Sequence, residues 1–321
     1  MKQAVRESIH RAAEVLAAAG EVALACHVSP DGDALGSVLG LARAAIGAGK
    51  RAVASFGAPF AVSAQYEFLD LSPLVPPEDF PAAPEVMVAL DVAAPDRLGS
   101  LAGSAARAGT LIVLDHHPTN PGFGDIVVVD PGAAATAELA YHLIRRSGWA
   151  IDRETATALL TGIVSDTGRF QYSSTDAAVL RVAARLVEAG ARPDEIGQRL
   201  YEWLPFGYLQ VSGAVLTRAR LEDGLVWSVL YASDYLGAGV GPEDLDLLID
   251  DLRAAREAEV AVLLKETQGG WKVSLRSRGG VDVGALAAAG GGGGGHHDAA
   301  GFNTGGDPED VIATIRGGLG A

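Results

Sequence analysis

Val22-Ala23-Leu24-Ala25-Cys26-His27-Val28-Ser29-Pro30-Asp31-Gly32-Asp33 decides how the chain folds. Its first five residues form a short apolar run suited to a buried strand. Past Asp33, the residues Leu35, Val38, Leu39, Ala42 and Ile46 recur at helical spacing. The polar segment therefore occupies a strand-to-helix turn. In open α/β sheets ligands collect beyond the carboxyl ends of strands, so this turn is a favoured place for chemistry. One histidine and two carboxylates packed so closely repel or take up protons unless a cation draws them together. A second account needs no ligand: Asp31 or Asp33 caps the helix that begins near Ala34, and Pro30 and Gly32 shape the turn.

The same punctuation recurs downstream. Val86-Met87-Val88-Ala89-Leu90 runs into Asp91, and Leu111-Ile112-Val113-Leu114 runs into Asp115-His116-His117. Continuous apolar runs without alternation mark parallel strands covered on both faces. Residues 97–108 supply the crossover helix that such a pair requires. Parallel strands would bring His27, Asp91 and Asp115 to one sheet edge. Residues 51–56 and 125–129 read as further strands. Residues 133–147, 153–164, 176–189 and 193–203 read as helices. Gly168 would end the second of these and leave Asp166 at a helix carboxyl terminus, where an isolated negative charge is unfavourable and a nearby cation would relieve it.

The texture changes after Leu204-Pro205-Phe206-Gly207, which reads as a hinge. Strands are expected at 226–231, 258–265 and 271–276, with helices at 242–256, 281–288 and 308–316. The expected division is a first domain over 1–203, a linker over 204–224 and a second α/β domain over 225–321. Tyr201, Trp203, Phe206 and Tyr208 crowd the linker, where packing at the junction is the simpler expectation than stacking on a base.

Composition narrows the function. The 321 residues are 49% hydrophobic and carry a net charge of -15. A globular protein is implied, and an acidic one with a pI near 4.8 lacks the broad basic face needed to track long nucleic acid. A short anion held by a few local cations remains compatible. Cys26 is the single cysteine, so no internal disulfide forms and a reducing, cytoplasmic setting is expected. No apolar stretch is long enough for a membrane span. Residues 290–295 are all glycine and lead into His296-His297-Asp298-Ala299-Ala300-Gly301. A flexible spacer would have that composition, but little chain follows it. A loop whose backbone amides approach an anion closely fits the position better.

Taken in order, the signals are His27-x-x-Pro30-Asp31-x-Asp33-Ala34-x-Gly36-Ser37, Asp91, Asp115-His116-His117, Gly162-x-x-x-Asp166-Thr167-Gly168, Arg276-Ser277 and Gly293-Gly294-Gly295-His296-x-x-Ala299-Ala300-Gly301. This set resembles the DHH phosphoesterases that carry a DHH-associated C-terminal domain. Within them it is most similar to the short oligoribonuclease (nanoRNase) and pAp-phosphatase group. The resemblance covers nearly the whole chain and implies an α/β fold: a mainly parallel-sheet N-terminal domain, a smaller C-terminal α/β domain and a cleft between them.

It further implies two divalent ions, usually manganese. By matching positions, His27, Asp31 and Asp91 hold one, and Asp33, His116 and Asp166 hold the other, with Asp91 bridging. Asp115 is expected to fix the tautomer of a ligand histidine. His117 is expected to face substrate, and Asp115 and His117 are the residues assigned to catalysis. Arg276, Ser277, Gly294, Gly295 and His296 are expected to bind the far phosphate or nucleotide end. On a strand, Arg276 can share a face with Arg278 but not with Ser277. The implied substrates are very short RNA, pAp and, in some relatives, cyclic di-AMP. A homodimer is in keeping with the family. Inorganic pyrophosphatase or polyphosphatase activity is the alternative enzyme, and a non-catalytic nucleotide-binding module the alternative without chemistry. Ala134 and Ala135 stand where relatives often carry serine, and the glycine run is longer than usual.

Overall fold

The structure is a computed structural model that describes residues 2–290 and 293–319. Two positions of the glycine run, 291 and 292, thus lie outside the described residues. The chain divides after Glu202 into two compact units.

In the first unit the elements run α1 (Gln3–Ala18), β1 (Glu21–Cys26), α2 (Gly32–Gly47), β2 (Arg51–Phe56), β3 (Val86–Leu90), α3 (Ala102–Ala106), β4 (Thr110–Asp115), β5 (Ile126–Val129), α4 (Thr136–Arg146), α5 (Arg153–Asp166), α6 (Ala177–Glu188) and α7 (Pro193–Tyr201). The strands pair in the order β2-β1-β3-β4-β5, every pair parallel. Alternate residues of the apolar runs enter different cores. Leu24, Cys26, Val88, Leu90, Ile112 and Leu114 pack with apolar residues of α1, α2, α4 and α5. Ala23, Ala25, Met87, Ala89 and Val113 pack on the other side with Leu98, Leu101 and Ala105. Burial on both faces explains why these strands show no polar alternation. The order reverses between β1 and β3, which places the crevice at their carboxyl ends, beside His27 and Asp91.

The crossover between β3 and β4 departs from the single helix expected over 97–108. It is a short 3-10 segment (Pro95–Leu101), interrupted within by Gly99 at φ 56°, that leads directly into the short α3. Close packing of α2 on α5 matters more. A Cβ on Gly36 would lie 2.4 Å from the Ala158 carbonyl oxygen and 2.8 Å from the Gly162 nitrogen. One on Gly162 would lie 2.7 Å from Asp33 Oδ1. Only hydrogen at these two positions lets the helix backbones touch, and that contact carries Asp33 toward the end of α5.

The second unit holds α8 (Phe206–Thr217), β6 (Arg220–Glu222), β7 (Leu225–Leu230), α9 (Ala232–Tyr235), α10 (Leu248–Arg253), β8 (Val260–Thr267), β9 (Gly270–Ser277), α11 (Val283–Ala289), β10 (Gly294–Gly295), β11 (Ala299–Thr304) and α12 (Pro308–Leu319). Its mixed sheet has the order β10-β11-β9-β8-β7-β6, with only β7 and β8 parallel. One face packs on α11 and α12, the other on α8 and α10. Residues 204–224, expected as a linker, instead form α8 and β6. Tyr208, Val211 and Val215 of α8 are buried in the second unit's core, and the Tyr208 hydroxyl donates to Asp251 at 3.1 Å. Trp203 and Phe206 are exposed.

Candidate active site

Three strand ends and two helices of the first unit deliver the polar residues to one place. Past β1, the backbone turns sharply at Ser29, φ 52°, and α2 begins. Asp31 performs both roles open to it in the sequence. Its Oδ1 caps α2 by accepting from the Asp33 and Ala34 amides at 3.1 and 3.0 Å, while its Oδ2 lies 3.8 Å from His27 Nε2. Asp33 is fully buried within the first turn of α2. It accepts from the amides of Thr136 and Ala137 at 2.6 and 2.9 Å and from the Ser37 hydroxyl at 3.3 Å. The start of α4 thus points its unsatisfied N–H groups at this carboxylate.

Asp91 follows β3 with φ 58°, a left-handed conformation that aspartate tolerates better than most side chains. Its two oxygens face opposite ways. Oδ2 is 3.5 Å from His27 Nε2, and Oδ1 is 3.7 Å from His116 Nε2 and accepts from the Thr136 hydroxyl at 2.9 Å. Nε2 of His116 also lies 3.7 Å from Asp33 and 3.1 Å from Asp166, the last residue of α5. His27, Asp31 and Asp91 therefore form one group, and Asp33, Asp91, His116 and Asp166 a second that shares Asp91. Within His27-Asp31-Asp91 and Asp33-Asp91-His116, one candidate ligand atom per residue lies within 4.8 Å of the others.

The donor set suits divalent cations. His27 Nδ1 pairs with the Val28 carbonyl at 2.9 Å and His116 Nδ1 with the Ala133 carbonyl at 3.2 Å. Each carbonyl fixes the proton on Nδ1 and turns Nε2 toward carboxylates, the arrangement of an imidazole ligand. Without a cation the cluster compensates through protons. Burial disfavours charge on His27, yet Asp31 and Asp91 outweigh it and push its pKa up to about 11. Burial likewise works against His116, which Asp166, Asp33 and Asp91 nevertheless raise well above the ordinary imidazole range. Burial, with Asp91 and Asp166 beside it, raises the Asp33 carboxyl. Burial also opposes ionisation of Asp91, but the surrounding histidines hold that carboxyl low.

Asp115 serves a different histidine from the one expected. Its Oδ1 accepts from His117 Nδ1 at 2.7 Å and from the His116 amide at 2.9 Å, and Oδ2 accepts from Asn120 at 2.7 Å. Asp115 thus orients the His117 ring, while the Ala133 carbonyl takes the His116 ring. The Ala133 carbonyl, 17 residues along the chain, engages the His116 ring and leaves Asp115 to His117. Burial lowers the His117 pKa, but Asp115 and Asp91 raise it overall. Thr136 and Asn120 carry no motif signal of their own. The hydroxyl of Thr136 supplies a contact at the segment where Ala134 and Ala135 have none.

In the second unit the expected residues have separate settings. Arg276 sits on β9 with Nε 3.4 Å from Asp250, and its neighbour Ser277 points into the core. There the Ser277 hydroxyl accepts from the Gly279 amide at 2.9 Å, a turn contact. Arg278 donates to the Arg253 and Ala255 carbonyls. Gly294 and Gly295 form β10, and His296 opens the tight turn into β11 by donating from its amide to Ala299 at 2.7 Å. Gly295 has φ 147°, and a Cβ there would lie 2.5 Å from the Ala299 oxygen. At Gly294 there is open space instead.

Residues 21–163 match the DHH family, N-terminal domain, and residues 227–316 match the DHHA1 domain. A Thermus thermophilus protein named bifunctional oligoribonuclease and PAP phosphatase NrnA is 39% identical over 287 residues, 88% of this chain and 84% of that one. The chain belongs to the DHH family. A Bacillus subtilis protein of the same name is 27% identical over 175 residues, covering 53% of this chain and 56% of that relative. The crystal structure of an exopolyphosphatase-related protein from Bacteroides fragilis superposes with a TM-score of 0.88 at 25% identity, covering 98% and 96% of the two chains. That of RecJ from Thermus thermophilus with Mn2+ reaches 0.58 at 15% identity over 98% of this chain and 55% of that one, a likeness of fold. All six expected metal ligands lie between His27 and Asp166, in and just beyond the matched DHH segment.

Proposed function

We propose that the chain is a metal-dependent phosphohydrolase that cleaves very short oligoribonucleotides to mononucleotides and removes the 3'-phosphate of pAp. The observation that carries this is Asp91, whose two oxygens face two histidine and carboxylate groups, in a chain similar over 88% of its length to a protein named for both activities. His27, Asp31 and Asp91 would hold one divalent ion, and Asp33, Asp91, His116 and Asp166 another. Mixed nitrogen and oxygen ligation suits manganese. Bound there, such ions supply Lewis acidity toward a phosphoryl oxygen and a water acidic enough to attack it.

The protein's own groups have distinct tasks. Thr136 and the first amides of α4 hold Asp91 and Asp33 in place. Asp115 keeps His117 protonated and oriented, so that Nε2 can give a proton to the departing oxygen. Arg276 is suited to a substrate phosphate through its planar pair of donors, and Gly294, Gly295 and His296 lie on the hairpin with β11, the strand that pairs with β9. Among the described residues no helix is long and apolar enough to cross a membrane.

Product analysis with manganese tests the reading, with a dinucleotide, pAp, cyclic di-AMP and pyrophosphate offered side by side. Release of mononucleotides with pyrophosphate untouched is the expected result. The Bacteroides neighbour, named exopolyphosphatase-related, favours polyphosphate or pyrophosphate as the second reading, and cleavage of pyrophosphate alone would establish it. Turnover of none would leave a binding module.

Two further outcomes follow from the site. Cation uptake must displace protons from His27 and His116, so calorimetry in buffers of differing ionisation enthalpy should register release of roughly one proton or more, and affinity should fall with falling pH. Uptake with no proton released would exclude these histidines as ligands. Asp115→Asn should lower kcat about a hundredfold through His117 while metal content stays at the wild-type level. A drop in metal content would place Asp115 among the ligands instead.

A further inference from the structure

Helices α1 and α4 of the first unit line an open cavity of about 560 Å³, and none of the candidate metal ligands borders it. Its size is that of a pocket for a small organic molecule. Helical spacing brings its polar groups in pairs. Arg6 and His10 are four residues apart on α1, as are His142 and Arg146 on α4, so each pair shares one face of its helix. Buried Ile9 adds an apolar wall.

The charge of this cavity is unlike that of the protein around it. Arg146 donates from Nε and Nη2 to His10 Nδ1, at 3.2 and 2.7 Å. A guanidinium cannot accept, so His10 carries its proton on Nε2, 3.5 Å from Glu14, and is neutral. Arg146 therefore keeps its full charge. Burial lowers the His142 pKa, and the positive charge of Arg6 lowers it further, so this ring is neutral as well. Among the described residues neither Arg6 nor Arg146 has a carboxylate partner, although acidic residues outnumber basic ones by 40 to 25. Other arginines of this unit do find one: Arg43 pairs with Asp70 and Asp152, and Arg192 with Asp194. Glu7 is the one acid among the described lining residues, and it accepts from the Gln3 side chain at 2.9 Å. Compensation of the α4 dipole accounts for a cation at Arg146, in the last turn. It does not account for Arg6, which stands near the amino end of α1, where a cation is disfavoured. That end has no side-chain cap and no acid in its first turn, so its partial positive charge adds to the two guanidinium groups.

We infer that this cavity binds a phosphate monoester the size of a nucleoside monophosphate, with Arg6 and Arg146 on the phosphate and Ile9 and the His142 ring against the organic part. The phosphate supplies the negative charge that both arginines lack, and their planar donors match its oxygens. A neutral imidazole offers a face on which a base can stack. Inorganic phosphate has the same charge but leaves Ile9 and His142 without a partner. The site is separate from the metal-dependent reaction proposed above and does not depend on it.

Titration calorimetry on the metal-free full chain tests it, with AMP, inorganic phosphate and adenosine as separate ligands. AMP should bind, and Arg6→Ala and Arg146→Ala should each weaken that binding roughly tenfold or more, while Arg276→Ala leaves it unchanged. Adenosine and inorganic phosphate should each bind at least about tenfold more weakly than AMP. The ring protons of His10 and His142 should shift in the NMR spectrum as AMP is added. AMP binding that survives both Arg6→Ala and Arg146→Ala lies elsewhere and would overturn the cavity site, as would wild-type protein that binds no AMP. Inorganic phosphate bound as tightly as AMP would give the cavity to the free ion and overturn the organic ligand. Both arginines are exposed, so circular dichroism should show the two variants folded like the wild type.

Discussion

Asp91→Asn is expected to lower turnover of every phosphoester substrate by about a thousandfold, the scale of several kcal/mol in barrier that shared cation coordination supplies. Asparagine is the informative replacement because it tolerates the left-handed backbone found at this position and can still accept from the Thr136 hydroxyl. The fold should survive. Only the second anionic oxygen is lost, so one of the two groups facing Asp91 loses its shared donor. Elemental analysis should then show fewer than two manganese ions per chain. Normal metal content together with near-normal turnover would remove Asp91 from the centre of the site and with it the two-ion assignment.

The second large effect is expected at a residue with no side chain of its own. Gly36→Ala places a methyl 2.4 Å from the Ala158 carbonyl oxygen and 2.8 Å from the Gly162 nitrogen, both backbone atoms that cannot rotate away. Overpacking of this kind costs about 1–3 kcal/mol. For a chain of this size that corresponds to a fall in Tm of roughly 2–12 °C. The helices must separate to accept the methyl, which draws Asp33 on α2 away from Asp166 on α5. Activity should fall more steeply than stability, and manganese affinity should weaken with it. A variant with lowered Tm but unchanged manganese affinity would show that the site does not depend on this helix contact.

Much of this architecture was legible in the sequence because its signals were local. The apolar runs ending at Cys26, Leu90 and Leu114 specify parallel strands without any knowledge of their neighbours, and the residue after each strand falls at the carboxyl edge by geometry alone. Gly168 marked the end of α5 and so the position of Asp166. What escaped depends on contacts between distant segments. Thr136 meets Asp91 across 45 residues, and the Asp33 carboxylate meets the start of α4 across 103. Nothing near either residue signals that partner. The choice of Asp115 for His117 over His116 depends on where the Ala133 carbonyl lies. The signal at Leu204-Pro205-Phe206-Gly207 falls just past the division after Glu202, and its proline also stands at the entrance to α8, a position where proline is tolerated because the missing N–H has no helical partner. In the glycine run, the hairpin of β10 and β11 gives Gly293 and Gly295 a steric reason as well as a chemical one, since a Cβ on either would strike the opposing strand.

All of His27, Asp31, Asp33, Asp91, His116 and Asp166 belong to the first unit, whereas Arg276 and the strand β9 that carries it belong to the second. The division has an evolutionary consequence. Gene fusion or recombination at the boundary after Glu202 can exchange the second unit, and with it the arginine proposed to hold substrate, while every candidate metal ligand is inherited unchanged, so that specificity can diverge between lineages without reinventing the chemistry.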